Sequence, residues 1–116
     1  MKTIPYHKLI RDRIPEIIEA TGKTAVTEVL SAQEYLDKLH DKLGEELQEY
    51  HETHSIDELV DLVEVIYAIL DYRCVSRREF EEIRELKSER RGSFQKRLFL
   101  KAVIDPDPIS SEEDVP

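Results

Sequence analysis

The chain has 116 residues, one domain's worth, and its 26 acidic against 17 basic residues give a formal charge of −9. Hydrophobic residues make up 40%, enough for a core, which argues against wholesale disorder. The acidic balance argues against a domain that grips nucleic-acid polymer or an anionic membrane surface, but leaves room for a phosphate-bearing ligand reached through a cation. The single cysteine, Cys74, rules out an internal disulfide and a Cys-based zinc cluster.

In chain order, residues 1–14 mix apolar and basic side chains and read as an extended arm. Pro15, at a first helical position, opens a short helix over 15–21 that Gly22 closes. Ala25–Leu30 is strand-like in its residue types. Three S-x-x-E signatures follow: Ser31 with Glu34, Ser55 with Glu58, and Ser76 with Glu79. Each is the capping-box pattern, in which the serine is expected to cap the backbone and the glutamate to reach back. They predict helices over 32–53, 56–73 and 77–91, the last stopped by Gly92. Residues 93–104 form a second arm, in which Leu98–Ile104 reads as a short strand or a packed segment. The expected architecture is all-α: a helical bundle in one domain over 1–104, followed by an acidic, mobile tail over 105–116. The tail holds five acids and no Lys or Arg, leaving −4 on the rest of the chain. No apolar run approaches a membrane span and no signal-peptide core is present, so a soluble, cytoplasmic protein is expected.

The two long helices have different faces. On 32–53, Leu36, Leu39, Leu43, Leu47 and Tyr50 form one apolar stripe. On 56–73, apolar residues cover more than half the circumference, so this helix is expected to be buried from two sides. A homodimer is the simplest way to supply the second side, the alternative being a self-contained bundle with a few exposed valines.

The chemistry lies in acids spaced along these helices. Glu46 and Glu49 stand at i and i+3 on one helix, with Glu45 beside them, and Glu58 and Asp61 stand at i and i+3 on the next. At about 100° per residue, Glu46 falls near the edge of the apolar stripe and Glu45 nearly opposite it. A short turn near 53–55 makes the helices antiparallel, which would gather these carboxylates beside a dry core. Like charges so placed repel, and a hard divalent cation relieves them. Oxygen-only ligands suit Mg²⁺ or Mn²⁺ rather than zinc or a di-iron pair, whose bundle signature is Glu-x-x-His. Residue types alone leave a second reading open, an ordinary solvated acidic face. The run Glu79, Glu81, Glu82, Glu85 and Glu89, interleaved with Arg84, Lys87 and Arg90, is an example of one. Asp61 with Glu64 is a competing acidic pair on the same helix.

Glu45-Glu46-x-x-Glu49 followed by Glu58-x-x-Asp61 resembles the mark of the MazG-like, all-α nucleoside triphosphate pyrophosphohydrolase superfamily, which includes phosphoribosyl-ATP pyrophosphohydrolase. Stretches at Tyr6–Ile18 and Glu89–Leu100 resemble the ends of one small branch of it, so the likeness covers about residues 4–101. The interval between the acid motifs, residues 50–57, is shorter than in many members. The resemblance implies Mg²⁺-dependent cleavage between the α and β phosphates of a nucleotide, giving a nucleoside monophosphate and pyrophosphate in nucleotide-pool cleaning. It implies Glu46, Glu49, Glu58 and Asp61 as metal ligands. Glu45 would be a ligand for a second ion or a carboxylate orienting water, with Glu45 and Glu46 as the catalytic pair. Lys8, Arg11, Arg13, Arg91 and Lys96 are the candidate phosphate-binding residues, since Arg fits phosphate oxygens through its fork geometry. The same bases could instead balance nearby acids. Two other functions remain open at this stage: a non-catalytic helical regulatory or interaction module of the same fold, and phosphoribosyl-ATP pyrophosphohydrolase itself.

Overall fold

The computed structural model describes residues 1–107, so the distal acids of the expected tail, Glu112, Glu113 and Asp114, lie outside the described residues. Among the described residues the protein is all-helical, with α1 at Ile14–Glu19, α2 at Ala32–Thr53, α3 at Ile56–Tyr72 and α4 at Arg77–Arg91. The chain divides into two compact units, Met1–Glu82 and the part from Ile83 onward, and the boundary falls inside α4. No helix among the described residues is long and apolar enough to cross a membrane.

Local chemistry sets the helix ends. The Ser31 hydroxyl accepts from the Glu34 backbone N–H at 3.3 Å and donates to the Glu34 carboxylate at 2.8 Å. Ser76 and Glu79 repeat this at the start of α4. The expected third box does not form. Ser55 makes no side-chain cap, and its own N–H is taken by Thr53 Oγ1 at 3.2 Å. Its partner Glu58 is instead drawn into a group of acids, as described below. At the end of α3, Cys74 takes a left-handed φ of 58°, and its N–H and that of Val75 reach back to Asp71 O and Leu70 O. These two bonds make a Schellman closure with cysteine where glycine is usual.

The strand-like readings at Ala25–Leu30 and Leu98–Ile104 are overturned: both segments are irregular. A strand needs a hydrogen-bonding neighbour, and neither segment finds one. The helix expected over 15–21 ends at Glu19, with Gly22 at φ 87° just beyond.

α2 and α3 form an antiparallel hairpin joined by His54 and Ser55 alone. His54, in the left-handed region at φ 54°, donates its N–H to Tyr50 O at 2.7 Å. The far ends meet where the Tyr35 and Tyr72 rings stand 6.1 Å apart. Between them the core is small. Leu39 at 2% exposure and Val65 at 8% are the buried apolar residues among those described. Leu36, Leu43 and Tyr50 are half-buried, whereas Leu47, expected in the same stripe, is 47% exposed. On α3, Ile56, Leu59, Val60 and Val63 are exposed and, with Glu64, line a shallow hollow. One face of α3 therefore packs on α2, while part of its apolar circumference has no neighbour in its own unit.

Candidate metal centre

The hairpin brings together the acids that spacing placed on facing helices. One carboxylate oxygen from each of Glu45, Glu46 and Glu49 lies within 4.8 Å of the others, and the same holds for Glu46, Glu58 and Asp61. Glu46 belongs to both groups and is the buried member, 5% exposed. It occupies the edge of the Leu39 stripe, so packing that buries Leu39 buries Glu46 as well. Glu64, the competing acid, is exposed on the apolar side of α3 beside Val60 and Val63.

Two oxygens of the cluster stand out. Glu46 Oε2 and Glu58 Oε2 are sealed from solvent without a hydrogen-bond partner. A buried, unmatched carboxylate oxygen is among the least favourable groups a fold can carry. Both belong to the group completed by Asp61. Oxygens around a Mg²⁺ ion at about 2.1 Å lie at most about 4.2 Å apart, so the donors need only slight rotation to share a cation. The donor set, all carboxylate, fits a hard divalent ion.

The bases are unequally engaged. Lys8 Nζ donates to Glu45 Oε1 at 3.3 Å and Arg11 to Asp61 Oδ1 at 2.6 Å, so the N-terminal arm is tied to both helices of the hairpin. Arg13 pairs instead with Glu16, three residues on in α1. Arg91 ends α4 and Lys96 follows Gly92, both in the second unit. The residue that sequence reasoning missed is Lys42. It lies 3.2 Å from Glu45 Oε1 and 3.4 Å from Glu46 Oε1, with its side chain only 17% exposed. Its i+3 and i+4 spacing to two motif acids was the available signal.

These contacts split the acids electrostatically. Burial works to raise the Glu45 carboxyl, but Lys42 and Lys8 outweigh it and hold it below its ordinary value. Burial, and then the carboxylate of Glu49, raise Glu46, with Lys42 offsetting part of the effect. Burial, followed by Glu49 and Glu46, pushes Glu58 up to about 7. Raised carboxyls favour the fold when protonated. Their contribution is full below the ordinary value of 4.5 and is lost as pH climbs toward 7. In EDTA, the melting temperature is therefore expected to fall between pH 5 and pH 8. Glu58→Gln should flatten that slope, and Mg²⁺ should restore stability chiefly at the alkaline end. Thermal scans across this range check all three points.

Among known proteins, the chain is 46% identical over 50 residues to a protein of Mycolicibacterium smegmatis described as uncharacterized. That match covers 43% of this chain, and the chain spans about half of the relative, 51% of its length. No family model matches the chain. No solved structure matches it either.

Proposed function

We propose that the protein is a MazG-like, divalent-cation-dependent nucleotide pyrophosphohydrolase, cleaving a nucleoside triphosphate between the α and β phosphates to a nucleoside monophosphate and pyrophosphate. One observation carries the reading: Glu46 Oε2 and Glu58 Oε2, buried and unmatched, belong to a three-carboxylate group of Mg²⁺-compatible chemistry. Glu46, Glu58 and Asp61 would hold the ion, with Glu49 beside Glu46. A bound Mg²⁺ would supply Lewis acidity toward a phosphate oxygen. Phosphoryl chemistry asks mainly for positioning and charge neutralisation, which the protein's own groups can provide. Lys8 and Arg11, on the arm and paired with Glu45 and Asp61, would offer their remaining N–H donors to polyphosphate oxygens. Glu45, kept ionised by two ammoniums, can accept a proton from an attacking water. Incubation with a panel of nucleoside triphosphates and Mg²⁺, scoring pyrophosphate against orthophosphate, tests the reading. Orthophosphate as the sole product, or full turnover in Glu49→Gln and Asp61→Asn, overturns it.

The same proposal includes a homodimer formed through the exposed face of α3. Ile56, Leu59, Val60 and Val63 present adjacent apolar side chains on a helix already packed on its other side. Contiguous apolar surface of this kind marks an interface. Val60→Asp combined with Val63→Asp is expected to shift the protein from dimer to monomer, read by light scattering.

A further inference from the structure

The acids form two overlapping sets with Glu46 in common, and the sets are treated differently by their neighbours. In the set Glu46, Glu58 and Asp61, two oxygens are buried without partners, Arg11 touches Asp61, and Glu58 meets no ammonium or guanidinium in a salt bridge among the described residues. In the set Glu45, Glu46 and Glu49, two ammoniums converge on a single oxygen, Glu45 Oε1, with Lys8 at 3.3 Å and Lys42 at 3.2 Å. Lys42 also reaches Glu46 Oε1 at 3.4 Å. It stands one helical turn before both acids on α2, so it stays beside them whenever the helix is intact.

Resting on the cation-site reading above, we propose that the Lys8–Lys42 ammonium pair fills, at the Glu45 corner, the position a second divalent cation would take. The cluster then holds one ion, between Glu46, Glu58 and Asp61. Charge supports the division. The five carboxylates of the two sets, against Lys8, Lys42 and Arg11, leave the cluster at −2, which one divalent ion neutralises and a second would reverse. Paired metal ions in two-metal sites stand about 3.5–4 Å apart and meet on a shared ligand. Here Glu46 is that shared ligand, and its Oε1 is already committed to Lys42 while its Oε2 is buried without a partner.

Titration calorimetry with Mg²⁺, and Mn²⁺ binding followed by electron paramagnetic resonance, read the count directly on the full chain without nucleotide. The wild type is expected to take one ion per chain, with the signal of isolated Mn²⁺. Lys8→Met combined with Lys42→Met is expected to take two, with the broadening of a coupled Mn²⁺ pair. Lys8→Met alone changes a side chain on the arm and leaves α2 intact. It is expected to admit the second ion at least tenfold more weakly than the first, and it decides the matter should the double variant not fold. Two ions in the wild type, or one ion in every variant, overturns this inference while leaving the cation site standing. No ion bound by the wild type overturns the inference together with the reading beneath it.

Discussion

Glu46→Gln is expected to lower divalent-cation affinity and pyrophosphate release by at least about 100-fold, while raising the melting temperature in EDTA. The two effects have one origin. Glu46 is the acid common to both carboxylate groups, and it is 5% exposed. Glutamine keeps its shape but removes the charge that burial and Glu49 oppose. Its amide can accept from Lys42 at one atom and donate toward Glu49 at the other, matching the buried atom that the carboxylate leaves unmatched. The ion-free fold thus gains, and the ligand is lost. Even residues that merely support a metal ligand lower affinity 10–100-fold when replaced, so a shared ligand should do at least as much. Calorimetry with Mg²⁺, the pyrophosphate assay and a thermal scan on one preparation check the result. Loss of activity with a lowered melting temperature would mean that Glu46 acts through the fold alone.

Leu39→Ala is expected to destabilise the helical hairpin by about 2–3 kcal/mol, toward the low end for buried leucines. Leu39 is the most fully buried large side chain among the described residues, at 2% exposure, and Val65 on the facing helix is the other buried apolar residue. Removing Leu39 leaves a void between α2 and α3 that half-buried Leu36 and Leu43 can only partly close. For a unit of this size, the shift in melting temperature is of order 10–20 °C. Leu47→Ala, at a position 47% exposed, should cost well under half as much. Guanidinium or thermal melts of the two variants, side by side, check the contrast. Because Glu46 is buried by the same packing, Leu39→Ala should also weaken Mg²⁺ binding, whereas Leu47→Ala should not.

Much of this was legible in the sequence. The boundaries of α2 and α4 follow from serine caps and periodic leucines, and both caps form as the spacing implies. The burial of Glu46 follows from its place at the edge of the apolar stripe. Ser55-x-x-Glu58 was ambiguous, because the same letters describe a capping box and an acid at the head of a helix. Only the facing helix decides between them, and it draws Glu58 toward Glu46. The expectation for Leu47 missed because a stripe marks a direction, while the narrow contact between two helices buries only its centre. The arm was the least legible part. Lys8 meets Glu45 across 37 residues and Arg11 meets Asp61 across 50, and no local pattern encodes such pairings.

The two-residue turn at His54 and Ser55 has a consequence for how this chain can vary in length. It leaves no slack between α2 and α3, so the position of Glu58 and Asp61 opposite Glu46 is fixed by counting residues from the turn. One residue inserted between Ile56 and Glu58 would swing both acids about 100° around the α3 axis, off the cluster and toward the side now occupied by apolar residues. One inserted in the loop over 20–31 would change nothing of the kind, since the arm reaches the hairpin through long, pliant Lys and Arg side chains. The hairpin is thus a gauge of fixed length carrying the ligands, and the segment before it is a tether whose length is free to drift.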